Sequence, residues 1–171
     1  GSAPTVPYCT NKDGFGPAWG NSLFEDAAEY GLGMHDAYKQ RREGLALAVK
    51  EALAVEGLSD ALKAALEGWL ANMEDAKLSR EFGEAVMAEL DFADSNPVFE
   101  KLWTKKSFGV FGGEGWGYDI GYGGLDHVIA SGADINVFVI DTEVYSNTGG
   151  QASKATPLGS IAKFAAGGKP V

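Results

Sequence analysis

The order of apolar and polar residues changes along the chain, and its first clear pattern is helical. Leu62, Leu66 and Leu70 recur at four-residue spacing, which places them on one face of an α-helix. Ser59 precedes this stripe and is a residue type that caps the N-terminus of helices, and Asp60 adds an acid to the first turn. The pattern therefore predicts a helix that begins after Ser59.

Similar stripes on both sides of this one predict further helices. We expect a long helix over residues 35–54 and shorter helical segments over residues 79–90 and 96–103. Acidic residues are frequent between the apolar positions, as is typical of solvated helix faces. We therefore interpret residues 36–106 as a mostly helical region.

Residues 1–35 have a different composition and predict a lead-in segment followed by one helix. Glycine and proline are frequent before residue 20, which favours irregular structure. Asn21 or Ser22 is a suitable cap for the helix, and Gly31 and Gly33 are expected to weaken or bend it. The long helix that follows is therefore expected to be separate.

From Ser107 onward the pattern predicts a strand, a helix and a second strand. The apolar run Phe108–Phe111 stops at two glycines, and a helix-length stretch over residues 118–131 ends at Gly132. The run INVFVID, residues 135–141, is apolar almost throughout, as is typical of a parallel strand buried on both faces. Residues 107–171 therefore predict an α/β fold with a parallel βαβ unit, preceded by the helical region.

The loops after the two predicted strands should meet, because parallel strands end at the same edge of a sheet. They are GGEGWG at 112–117 and TEVYSNTGGQ at 142–151. Glycines and a following helix N-terminus suit a phosphate, whereas Glu114 would repel one unless a divalent cation lay between them. Thr142 and Asn147 supply further oxygen atoms.

Two other interpretations of the first loop remain open. A dinucleotide-binding loop needs G-x-G-x-x-G, but Tyr118 stands where the last glycine is required. The acid at the end of the next strand, Asp141, also lies 28 residues after Gly113, against about 20 in that fingerprint. The glycines could instead serve only a tight turn between strand and helix.

Composition and charge exclude several classes of protein. The 171 residues are 45% hydrophobic, which is typical of a globular chain, and the net charge of −10 disfavours nucleic acid as a partner. No apolar run of about 18 residues is present to span a membrane, and no targeting signal is visible. Cys9 is the only cysteine, and His35 and His127 are far apart, so neither an iron–sulfur cluster nor a zinc site is expected.

Residues 112–169, from GGEGWGYDIGYGG to SIAKFAAGGK, strongly resemble the thiamine-diphosphate domain of pyruvate:ferredoxin (flavodoxin) oxidoreductases. The stretch GFGPAWGNSLFEDAAEYGLGM, residues 14–34, is similar to the segment that precedes this domain, and residues 36–106 resemble the family less specifically. The resemblance implies that the chain is a fragment of one thiamine-diphosphate-binding domain. The residues 1–35 would be its lead-in, 36–106 its helical region and 107–171 its cofactor-binding core.

The resemblance also implies roles for particular residues. Glu114 occupies the central position of the family's G-D-G motif, and with Thr142 and the Val144 carbonyl it is expected to bind Mg²⁺. The family's usual acid there is Asp, and Glu is one methylene longer. Asn147 of S-N-T-G-G-Q is expected near the thiazolium and the substrate, where it would be catalytic. The implied cofactor-binding set is Gly113, Glu114, Gly115, Trp116, Thr142, Val144 and Asn147.

The activity implied is oxidative decarboxylation of pyruvate to acetyl-CoA with thiamine diphosphate and Mg²⁺. The iron–sulfur clusters would be ligated outside this segment, and the partners would be the rest of the polypeptide, coenzyme A, and ferredoxin, flavodoxin or a fused reductase. A homodimer in the cytoplasm, or in an organelle matrix in a eukaryote, is expected. The alternatives are a related 2-oxoacid oxidoreductase with another substrate and a non-catalytic acidic interaction module.

Overall fold

The computed structural model describes residues 10–14, 16–22, 24–90 and 101–170. The expectations for Cys9 and for most of residues 96–103 lie outside these ranges. The described residues divide into two compact units, one formed by Met34–Ser107 and the other by the residues before and after it. No helix in these ranges is both long and apolar enough to cross a membrane.

The structure describes three helices in full before the first strand, and side chains cap the N-termini of two of them. They are α1 (Ala27–Leu53), α2 (Asp60–Asn72) and α3 (Ala76–Glu89). The predicted cap of α2 is confirmed, because Ser59 Oγ accepts a hydrogen bond from the backbone N–H of Leu62 at 3.0 Å. The third helix begins earlier than predicted because the Asp75 side chain caps it.

The glycines in α1 do not separate two helices, so that prediction is wrong. A single helix runs from Ala27 to Leu53. Gly31 lies against the side chain of Val110, where an added Cβ would overlap the valine. Glycine is therefore used here for close approach between a helix and a strand, and it does not end the helix.

Buried polar side chains of the unit Met34–Ser107 hold the chain just before the first strand. The Trp69 indole N–H donates to the Trp103 carbonyl at 2.7 Å, and Arg42 Nε donates to the Leu102 carbonyl at 3.0 Å. Trp69 is fully buried and Arg42 is 4% exposed. Because buried donors need partners, these bonds fix residues 101–103 against the helices.

The second unit contains the predicted βαβ arrangement, which is confirmed. Strands β1 (Phe108–Gly113) and β2 (Ile135–Ile140) pair in parallel, with Phe108 opposite Ile135 and Gly113 opposite Ile140. Between them lie a π-helix (Gly115–Ile120) and α4 (Tyr122–Ser131). Gly132 closes α4 in the left-handed region at φ 67°, as its position in the sequence predicted.

Within the described residues, one face of the second strand is covered and the other is exposed. Ile135, Val137 and Val139 pack against a core that includes Val110 and Trp116. On the other face, Phe138 is 48% exposed and Ile140 59% exposed. The Phe138 ring stacks on Phe111 at 4.6 Å between centroids, so this face carries an exposed aromatic pair. The two strands are the whole of this sheet within the described residues.

Candidate functional site

Glu114 and Thr142 meet at the carboxyl ends of the two parallel strands. Glu114 directly follows β1, and Thr142 lies just beyond the end of β2. Because Gly113 and Ile140 are register partners, the two loops leave the sheet side by side. The convergence expected from the strand order is therefore present.

Of the three oxygens that were expected to bind a metal, the Thr142 hydroxyl lies within hydrogen-bond distance of the other two. Glu114 Oε2 accepts from the backbone N–H of Thr142 at 3.1 Å and lies 3.3 Å from Thr142 Oγ1. Thr142 Oγ1 is also 3.1 Å from the Val144 carbonyl oxygen. Thr142 therefore links the carboxylate of one loop to the carbonyl of the other.

The second oxygen of Glu114 has no hydrogen-bond partner among the described residues. The side chain is 1% exposed, and Oε1 is buried without a donor. Buried polar atoms are nearly always satisfied, so an orphaned carboxylate oxygen indicates a missing ligand. A carboxylate, a hydroxyl and a carbonyl are hard oxygen donors, which fit Mg²⁺. No cluster of three or more His, Cys, Asp or Glu side chains that could hold a metal occurs in the described ranges.

Ser146 belongs to this cluster, although the sequence analysis did not select it. Its hydroxyl lies 2.5 Å from Thr142 Oγ1 and 3.4 Å from the Val144 carbonyl oxygen. The only signal in the sequence was its place in the polar loop at 142–151. Its hydroxyl adds a fourth oxygen beside the three that were expected to bind a metal.

No hydrogen bond joins Asn147 to Glu114, Thr142 or Val144 in the part of the chain that the structure describes. It lies in the turn of a short hairpin formed by β3 (Val144–Tyr145) and β4 (Gln151–Ala152). Its side chain is exposed and makes no hydrogen bond to the described residues. The structure therefore leaves the Asn147 amide free at the tip of the second loop.

In the first loop, the Trp116 side chain is buried in the core, and the two glycines before it differ in the space around them. The Trp116 indole is 8% exposed, belongs to the core and donates to the Glu25 carbonyl at 3.0 Å. An added Cβ at Gly115 would overlap the ring of Tyr145, whereas one at Gly113 would meet nothing closer than 3.9 Å. Trp116 can therefore serve a ligand only through its backbone.

The sequence analysis also missed a contact between the second loop and the π-helix. The Tyr145 hydroxyl donates to Asp119 Oδ2 at 2.9 Å, and the backbone N–H of Lys154 donates to the same oxygen at 3.1 Å. Burial raises the pKa of Tyr145 to about 12, and the hydrogen bond to Asp119 and the charges of Asp119 and Glu114 act in the same direction. Asp119 lies in the π-helix, a rare element that is frequent at functional sites.

Comparisons with known proteins show which family the chain resembles. The chain is 54% identical to the pyruvate:ferredoxin oxidoreductase of Moorella thermoacetica over 99% of its length. It is 50% identical to the pyruvate-flavodoxin oxidoreductase of Klebsiella pneumoniae over 98% of its length. The chain corresponds to a segment of the pyruvate:ferredoxin oxidoreductase family. The mitochondrial pyruvate dehydrogenase [NADP(+)] of Euglena gracilis is 44% identical over 99% of the chain. The resemblance seen in the sequence is therefore confirmed.

Two further facts define how the chain relates to this family. It spans 15% of the length of the Moorella and Klebsiella relatives and 10% of the Euglena protein. Residues 41–98 match a family model described as the insertion domain of pyruvate-ferredoxin oxidoreductase. These residues fall inside the helical unit Met34–Ser107. The candidate metal site therefore lies outside the part matched by the insertion-domain model.

Proposed function

We propose that this chain holds the diphosphate end of thiamine diphosphate through Mg²⁺, as one segment of a longer oxidoreductase that acts on pyruvate. The observation that carries the proposal is the buried, unpartnered Oε1 of Glu114 beside the Thr142 hydroxyl and the Val144 carbonyl. One negative charge and neutral oxygens suit a divalent cation that is shared with a diphosphate.

The residues of the two loops have separate tasks in this proposal. Glu114, Thr142 and Val144 hold the ion, and the backbone N–H groups of Gly113, Gly115 and Trp116 are offered to the diphosphate. Bound thiamine diphosphate supplies the electron sink that decarboxylation of a 2-oxoacid requires. Burial of Glu114 excludes water from one of its oxygens, which strengthens the attraction between the carboxylate and the ion.

Asn147 is the proposed catalytic residue of this segment. Its side chain is exposed at the tip of the hairpin, and Gly149 and Gly150, at φ 110° and 99°, form the tight turn that follows it. An amide there can donate and accept hydrogen bonds without losing any bond within the described structure. In this proposal the amide contacts a substrate that is held against the cofactor.

The rest of the reaction requires groups from outside this chain. Cys9 is its only cysteine, so the iron–sulfur clusters would be bound elsewhere in the polypeptide. The names of the relatives support ferredoxin or flavodoxin as the electron acceptor, with a fused reductase as the third option. Coenzyme A, a homodimer, and a location in the cytoplasm or an organelle matrix complete the proposal.

Calorimetric titration of thiamine diphosphate into the complete polypeptide that contains this chain tests the proposal. We expect binding with Mg²⁺ and little binding when the metal is chelated. Glu114→Ala should abolish both tight binding and its dependence on Mg²⁺, whereas Glu114→Asp should retain both. Asp126→Asn, an exposed acid on α4, is the control. Equal affinity of the wild-type protein with and without metal would contradict the proposal.

A further inference from the structure

The loop that carries two of the proposed metal ligands is bent at a residue with an unfavourable backbone conformation. Glu143 lies between Thr142 and Val144 and has a φ of 63°. Side chains other than glycine rarely adopt this region, and they remain there only when the surrounding structure holds them. The bend places the Thr142 hydroxyl 3.1 Å from the Val144 carbonyl oxygen, so it determines the spacing of the ligands.

Hydrogen bonds hold both polar groups of the Glu143 backbone. The Glu143 N–H donates to Asp141 Oδ1 at 2.9 Å, and its carbonyl accepts a hydrogen bond from the Thr156 hydroxyl. Thr156 is 3% exposed, and its Oγ1 also accepts from the backbone N–H of Ser153 at 2.9 Å. Because a hydroxyl has one proton, this acceptor bond directs the Thr156 proton toward Glu143.

The ammonium group of Lys169 holds the turn that contains Thr156. Lys169 Nζ donates to the carbonyls of Ser153 and Lys154, both at 2.7 Å, and of Thr156 at 2.8 Å. These three bonds use all three protons of the ammonium. The Lys169 backbone is itself fixed, since its N–H donates to the Ser160 carbonyl at 2.9 Å.

We infer that Thr156 and Lys169 are positioning residues for the magnesium site, an inference that rests on the proposed function. Lys169 holds the turn at 153–156, Thr156 holds the carbonyl of Glu143, and Glu143 sets the distance between Thr142 and Val144. Neither residue supplies an atom to the ion. Residues that orient metal ligands without touching the metal change metal affinity by about 10- to 100-fold when they are replaced.

The test compares Thr156→Val with Thr156→Ser in the complete polypeptide. Valine has the shape of threonine but lacks the hydroxyl, whereas serine keeps it. We expect Thr156→Val to raise the Mg²⁺ concentration for half-maximal binding of thiamine diphosphate by about 10- to 100-fold. Lys169→Met should act in the same direction, and Thr156→Ser should restore wild-type behaviour. Lys77→Met, on a lysine whose side chain is 84% exposed, is the control.

The dependence on Mg²⁺ distinguishes positioning from general damage to the loop. At saturating Mg²⁺ the affinity of Thr156→Val for thiamine diphosphate should return to the wild-type value. An affinity that stays low, or a half-maximal Mg²⁺ concentration equal to that of the wild type, would overturn the inference. If Lys169→Met fails to fold, the two Thr156 variants decide. Binding by the wild type that needs no Mg²⁺ would overturn the proposed function itself, and this inference with it.

Discussion

Replacing Glu114 with Gln should change stability in opposite directions without and with magnesium. The Glu114 side chain is 1% exposed, and its Oε1 has no hydrogen-bond partner among the described residues. Gln keeps the shape of the side chain and can still accept the N–H of Thr142. Removing a buried charge that lacks a partner should therefore stabilise the metal-free protein. We expect a gain of about 1–3 kcal/mol, because the neutral amide avoids the additional cost of burying an uncompensated charge, although its Nε2 still has no partner among the described residues.

With magnesium the same substitution should be unfavourable. Wild-type protein gains about 2.7 kcal/mol from a ligand present at about 100 times its dissociation constant. Glu114→Gln loses the only charged ligand of the proposed site, and it should gain almost none of this stabilisation. The difference in stability between the variant and the wild type should thus reverse its sign when magnesium and thiamine diphosphate are added.

Hydrogen exchange is the suitable assay, because a long polypeptide with several domains has no single free energy of unfolding. Protection of residues 108–145 should be compared in wild type and variant, with and without magnesium and thiamine diphosphate. Glu84→Gln makes the same chemical change on the exposed surface of α3, and it should not alter the protection of these residues in either condition. A variant that is less protected than wild type without metal, or equally protected by magnesium, would refute the reasoning.

Three further predictions concern other parts of the chain. Asn147→Ala should lower kcat more than it weakens cofactor binding, as steady-state kinetics and calorimetry can measure; a loss explained wholly by weaker binding contradicts a catalytic role. The pKa of Tyr145 is raised to about 12, so the folded protein binds this proton more tightly than the unfolded chain, whose tyrosine pKa is about 10. Its contribution to the stability of the folded protein should be complete below about pH 10 and lost as the pH rises through about 12. Tyr145→Phe should therefore lose less stability at alkaline pH than the wild type in denaturation experiments. An unchanged dependence of stability on pH contradicts the assignment. Arg42→Met should lower hydrogen-exchange protection of residues 101–105, because each hydrogen bond from a charged donor contributes about 1.5–3 kcal/mol; unchanged protection contradicts the contact with Leu102.

The parts of the fold that depend on local pattern could be predicted from the sequence. Ser59 caps α2, Gly132 closes α4, and the parallel strand order brings Glu114 and Thr142 together. Each of these follows from a short-range preference or from the geometry of a βαβ unit. The family resemblance added Val144, whose proposed contribution is a carbonyl oxygen that no side-chain pattern reveals.

Features that depend on distant contacts could not be predicted in this way. Gly31 was expected to weaken a helix, but its role depends on Val110, which is far from it in the sequence. The exposed face of β2 depends on what covers Phe138, and an apolar pattern alone does not determine that. The three carbonyls around Lys169 belong to a turn in which apolar and polar residues follow no periodic pattern, so the sequence does not indicate the contact.

A crystal structure of the complete polypeptide with magnesium and thiamine diphosphate tests the central claim most directly. The account predicts an ion about 2.0–2.1 Å from a Glu114 carboxylate oxygen, the Thr142 hydroxyl and the Val144 carbonyl, with the diphosphate completing its ligands. The buried oxygen of Glu114 that has no partner among the described residues would then be satisfied by the metal. An ion bound to the diphosphate without contact to Glu114, or a protein donor on that oxygen, would contradict the account.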